Sequence, residues 1–137
     1  MNTVQALKRF RSLTIELTAL EQQLRQVERT GRPSGVMTQR YDTVRGTNDP
    51  TSAAIQLAEG LETLARRKRE ELALLRPQVK EALAQVGDFR LMVVLQRYYL
   101  AGETDEQAAE AVHLSDRYVC RMRNAFLRSL GRTSGAQ

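Results

Sequence analysis

Near the C-terminal end, Arg117, Arg121, Asn124 and Arg128 stand at i, i+4, i+7 and i+11, a spacing that gathers side chains on one face of a helix. At about 100° per residue with Val119 as zero, they fall at about 160°, 200°, 140° and 180°, whereas Met122, Phe126 and Leu130 fall at about 300°, 340° and 20°. A helix from Asp116 to about Leu130 therefore packs through one face and presents three guanidinium groups and a carboxamide on the other. A guanidinium can bond guanine O6 and N7 bidentately, a carboxamide can bond adenine N6 and N7, and either can hold phosphate. The strip thus has the chemistry of major-groove recognition. Arg128, a full helical length from the start, is placed for the phosphate backbone.

Other chemistries find few residues to work with. One Cys and one His in 137 residues exclude a disulfide framework, a Cys-His zinc site and a Ser-His-Asp arrangement. His113 reads as a turn residue, and Cys120 lies on a helix flank without a His partner. The acids sit beside basic residues rather than in an apolar pocket, so no enzyme is expected. No cofactor or metal is expected either. Lys plus Arg number 21 against 16 Asp plus Glu, a net charge of +5, and a basic excess suits a polyanionic partner. The residues MNTVQALKRFRSL carry charges inside any apolar stretch, and nowhere do eighteen apolar residues run together. Neither a signal peptide nor a membrane span is expected, which predicts a soluble cytoplasmic protein.

The elements that must hold the strip follow from the preceding residues. Phe89 to Leu100 (FRLMVVLQRYYL) is apolar on most sides, which predicts a helix buried in a small bundle, closed by Ala101-Gly102-Glu103. Thr104 followed by Gln107 is a capping-box pattern and predicts a helix from Asp105 to about Val112 with Ala108, Ala109 and Val112 inward. His113 would take the turn position, where a left-handed conformation is accessible. Leu114 would plug the core and Ser115 would cap the basic helix. Two helices around a tight turn, the first alanine-rich so that backbones approach closely, describe a helix-turn-helix. Residues 115–137 carry five Arg and one Asp, a net of +4, and residues 103–114 carry Glu103, Asp105, Glu106 and Glu110, a net of −4. The acidic helix either leaves phosphate attraction to the basic one, docks a basic protein, or simply exposes its acids with N-terminal dipole benefit.

The N-terminal part reads differently. From Thr3 to about Arg29 the residues Phe10, Leu13, Leu17, Leu20, Leu24 and Val27 recur at alternating spacings of 3 and 4, a heptad seam for another helix. Its partner is either a second helix of the chain or a second copy, as a homodimer. Residues 30–50 hold Pro and Gly and break the pattern. Their Arg32, Arg40 and Arg45 either reach phosphates or only solvate a loop. Asp49-Pro50 reads as an N-cap followed by Pro at the first helical position. A second long helix then runs to about Arg76 with Leu57, Leu61, Leu64, Leu72 and Leu75 at helical spacing. The run Arg66-Arg67-Lys68-Arg69 is read as a solvated face with i,i+4 pairing such as Glu62 to Arg66. Pro77 should start a new helix or kink the old one. The resulting division is a helical hairpin or coiled coil over 1–76, a helix-turn-helix domain over 77–131 and a tail over 132–137, all-α throughout.

The run LQRYYLAGETDEQAAEAVHLSDRYVCRMRNAFLRSL resembles region four of sigma factors over about forty residues: an apolar helix ending in an Arg-Tyr pair, a Gly turn, a short Ala-containing helix, then Ser and a basic helix with Val, Met and Phe inward. The segment YDTVRGTNDPTSAAIQLA and the long helices before that unit resemble phage late transcription regulators of the ArpU and RinA kind. The resemblance implies a promoter-binding activator of phage late genes, working with the host RNA polymerase in the bacterial cytoplasm. Carried over to this sequence, it implies that Ser115 is the recognition-helix cap. It places Arg117, Tyr118, Arg121 and Asn124 at the base- and phosphate-facing positions, and Val119, Met122 and Phe126 in the core. His113 stands where Gly or Asn is commoner, and Ala108 replaces a larger aliphatic residue, which implies a closer helix crossing. No region resembles the promoter-melting parts of a sigma factor, which favours an accessory factor. Two other classes compete. A small terminase-like DNA-recognition subunit of a phage packaging motor also combines a helix-turn-helix with helical hairpins and would form a closed ring. A protein-only interaction module would leave the arginine strip unexplained.

Overall fold

The computed structural model describes residues 2–30 and 50–135, and all regular structure among them is helical. The expected loop with Arg32, Arg40, Arg45 and the Asp49 cap lies outside the described residues. Helix α1 spans Thr3–Thr30 and α2 spans Pro50–Ala84. Helix α3 spans Phe89–Leu95 and runs on as a π-helical segment over Gln96–Leu100. Helices α4, Asp105–Val112, and α5, Asp116–Gly135, complete the chain. No helix among the described residues is long and apolar enough to cross a membrane. The helices form two compact units, one of residues 16–71 and one of residues 1–15 with 72–137.

Helix α1 starts on a reciprocal cap. Asn2 Oδ1 accepts from the Gln5 N–H at 2.8 Å, and Gln5 Oε1 accepts from the Asn2 N–H at 3.2 Å, satisfying two donors that the first turn leaves free. The heptad seam is buried at Phe10, Leu13, Leu24 and Val27 and half-buried at Leu17 and Leu20. On α2 one row of buried or half-buried positions is Leu61, Ala65, Lys68, Leu72, Leu75, Val79 and Ala82, again at alternating spacings of 4 and 3. This corrects two expectations. Leu64 is 45% exposed while Ala65 is fully buried, because the small side chain lets helices approach more closely than a leucine would. The basic run is also not a purely solvated face, since Lys68 occupies a seam position and reaches Glu16 of α1 at 2.7 Å.

Within the unit of residues 16–71, Arg69 bonds Glu21 of α1 at 3.4 Å and Glu62 at 3.2 Å. Helix α2 of the same chain is therefore a partner of the α1 seam. The expected Glu62 to Arg66 pair is replaced: Arg66 lies 3.9 Å from Glu70, and Glu62 turns to Arg69. Helix α2 also runs unbroken through Pro77, so no new helix starts there. Proline lacks the N–H that would bond the carbonyl four residues back and costs about 3 kcal/mol in a helix interior. Burial of Leu72 before it and of Val79, Ala82 and Leu83 after it keeps the helix continuous, each large apolar side chain contributing about 1.5–3 kcal/mol.

In the other unit, the first turns of α1 belong with the C-terminal helices. Ala6, Leu7, Phe10 and Leu13 are buried there together with Val94, Leu95 and Tyr99 of α3 and its π segment. The α3 helix is less enclosed than its composition predicts: Phe89 is 76% exposed. Asp88 caps it by accepting from the Arg90 and Leu91 N–H groups. After the π segment the chain turns at Gly102, φ +75°. A Cβ there would lie 3.3 Å from Ile15 and 3.4 Å from Thr14, so this turn needs glycine for its backbone angle and for the close approach of α1.

Candidate nucleic-acid interface

The support for the basic helix is built locally. Thr104 Oγ1 accepts from the Gln107 N–H at 3.2 Å, and Gln107 Oε1 accepts from the Thr104 N–H at 2.9 Å, the capping box read from the sequence. At the other end of α4, His113 is left-handed with φ 60° and ψ 43°. The Leu114 N–H donates to the Ala109 carbonyl at 3.0 Å and the His113 N–H to the Glu110 carbonyl at 3.4 Å, the double closure of a Schellman motif. Leu114 packs on the cluster of Val94, Ala108, Ala109, Val112 and Val119. Ser115 Oγ then accepts from the Tyr118 N–H at 3.1 Å and starts α5, a cap worth about 1 kcal/mol. Ala108 and Ala109 are both buried in this cluster, so along that stretch the α4 backbone can approach its neighbours closely.

Helix α5 is seated as its apolar stripe predicts. Val119 is fully buried, and Met122, Phe126 and Leu130 are half-buried. Arg117, Tyr118, Arg121, Asn124 and Arg128 are all exposed. The Arg121 guanidinium lies 6.0 Å from the Tyr118 ring centroid, at the outer limit of a cation–π contact, so it remains free to bond elsewhere. Asn124 Nδ2 donates weakly to Cys120 Sγ at 3.5 Å. The helix continues five residues past the expected end at Leu130, to Gly135.

One arginine of α5 does something the strip does not. Arg123 Nε and one terminal nitrogen donate to the two carboxylate oxygens of Asp105 at 3.0 and 2.9 Å, a fork-to-fork pair. Their side chains are 11% and 23% exposed. The same guanidinium lies 3.9 Å from the Tyr98 ring centroid, and so does that of Arg11 from α1. Burial opposes the charge on Arg123, but the hydrogen bonds it donates to Asp105 outweigh that cost and hold the group protonated more firmly than a free arginine. Burial likewise pushes the Tyr99 phenol up, opposed by the nearby Arg123 guanidinium. Arg11 donates to the Glu103 carbonyl at 3.1 Å, while its buried Nε has no hydrogen-bond partner. Arg97 pairs with the Glu103 carboxylate at 3.2 Å.

Of the four acids around α4, Asp105 and Glu103 are thus engaged within the chain, and Glu106 and Glu110 are exposed. The sequence held a signal for the Arg123 site. On the helical wheel Arg123 falls at about 40°, inside the apolar arc, where a charge requires a partner. No group of His, Cys, Asp and Glu among the described residues could hold a metal ion. No family model, curated protein or solved structure matches this chain.

Proposed function

We propose that the chain is a sequence-specific double-stranded DNA-binding protein that reads the major groove with α5. Arg117, Tyr118, Arg121 and Asn124 face the bases and nearby phosphates, and Arg128 faces the backbone. The observation that carries this reading is the division of α5: five side chains able to bond DNA are exposed together, while the opposite face is seated on α3 and α4. The resemblance to sigma region four and to ArpU- and RinA-type regulators supports a finer version of it. In that version the duplex is a phage late promoter, the effect is activation, and the host RNA polymerase is the partner.

Selection of bound duplexes from random DNA tests the reading directly. One enriched sequence is expected, with log affinity falling against log salt by about 0.9 per neutralised phosphate. Arg121→Ala should lose about 1–3 kcal/mol on that sequence and relax preference at one position. Equal binding to every duplex would refute specificity. Mass measurement on the same sample separates a monomer or dimer, expected for the regulator, from a closed ring, which would favour a packaging subunit. A dimer would also predict half-sites a helical turn or its multiples apart.

A further inference from the structure

We propose that Arg123 is the positioning residue of the α5 strip: it fixes the rotation of α5 about its axis, and so decides which base edges the exposed side chains can reach. The inference rests on the DNA-binding reading and goes beyond it, since Arg123 itself faces away from the strip. Three observations carry it. Its fork-to-fork bond ends on Asp105, the first residue of α4. Its guanidinium also lies 3.9 Å from the ring centroid of Tyr98, in the π-helical segment. The apolar contacts of α5 are otherwise forgiving, because Met122, Phe126 and Leu130 are only half-buried and Val119 alone is fully enclosed.

An apolar stripe resists tilting of a helix more than rotation by a fraction of a turn. A planar fork held by two parallel hydrogen bonds resists that rotation, because turning the helix breaks both at once. A rotation of roughly 30° moves a point about 6 Å from the axis by about 3 Å, the length of a hydrogen bond. Base readout, which needs two bonds on one base edge, is lost on that scale. Contact with phosphates by long, flexible side chains persists. The bond from Arg11 to the Glu103 carbonyl, two residues before Asp105, joins α1 to the same anchor.

The test compares the full-length protein with Arg123→Lys, which keeps the charge but cannot make the fork, and with Asp105→Asn. Each is titrated with the duplex selected by the unmodified protein and with a scrambled duplex across a salt series, and amide hydrogen exchange is followed in α5 without DNA. The expected result is a fall of tenfold or more in the ratio of selected to scrambled affinity, with an unchanged salt slope and faster exchange along α5. That fold-change corresponds to the loss of about one base-pair contact. Both affinities falling in the same proportion, as the folded fraction falls, would mean a merely structural pair and would overturn the proposal. An unchanged ratio in the folded variants would also overturn it. Should Arg123→Lys not fold, Asp105→Asn carries the same comparison, because it keeps one acceptor oxygen and loses the second. If the unmodified protein shows no selectivity at all while Arg123→Lys loosens α5, the DNA reading falls and the anchoring of α5 stands.

Discussion

One ion-paired arginine from each unit of this chain shows charge used in opposite ways. Over residues 16–71, Arg69 with Glu21 and Glu62 forms bonds across and along the helices while its side chain remains 44% exposed. Pairs of that kind are screened by water and salt and contribute little. In the other unit Arg123 and Asp105 are 11% and 23% exposed and share two bonds, and the guanidinium also lies on an aromatic ring. There water solvates the ions only in part, so each depends more on the other. An ion pair's contribution is thus set by what water can still reach, and the number of pairs in a region says little about what holds it.

The largest expected effect breaks the buried side of this comparison. Asp105→Ala leaves the Arg123 guanidinium without its carboxylate in a site that is mostly dry. We expect a loss of about 2–4 kcal/mol in urea unfolding, below the full figure for a completely buried pair because some water reaches both groups. A loss under about 1 kcal/mol would place this pair with the surface ones. The next effect is in pH. The folded state holds the Tyr99 phenol above its usual 10.0, so the neutral phenol favours folding. That stability is fully present below pH 10 and is lost as pH rises through the folded value, at up to about 1.4 kcal/mol per pH unit. Tyr99→Phe should flatten this part of the stability profile. An unchanged slope above pH 10 would assign the loss to other groups.

Smaller effects sharpen the exposed side. Lys68→Leu places an apolar side chain at the seam position between Ala65 and Leu72, and thermal unfolding should show a gain of about 1 kcal/mol or no change. A clear loss would mean that the Lys68 to Glu16 bond holds the helices in register, as polar seam residues do in coiled coils. Arg69→Ala is expected to cost less than about 1 kcal/mol, and less still in high salt.

What could be read from the sequence divides along the same physical line. Caps and turns are decided by neighbours in the chain, so the Thr104–Gln107 box, the Ser115 cap and the left-handed His113 were all legible. So were the apolar stripe of α5 and the exposed strip opposite it, because helical periodicity alone separates them. Arg123 and Lys68 are hard to read because a charged residue, beside Asn124 or inside the run Arg66-Arg67-Lys68-Arg69, reads as surface. Their positions on the apolar arc and in the heptad seam contained the contrary signal. The continuity of α2 through Pro77 depended on burial at both sides of it, which no local propensity reports. The π-helical segment had no sequence signature, because its closing bonds, from the Ala101 N–H to the Gln96 carbonyl and from the Glu103 N–H to the Arg97 carbonyl, depend on what the turn at Gly102 must reach.

That segment makes the anchor of α5 sensitive to length as well as to chemistry. A π turn holds one residue more than the α turn it replaces, so Tyr98 and Tyr99 owe their bearing to an extra link in the chain. Deleting Arg97 would draw both tyrosines one place back along the chain and turn their rings from their present bearing. The guanidinium groups of Arg11 and Arg123 would then lose the aromatic surface they share, although every one of the five side chains on the outer face would still be present.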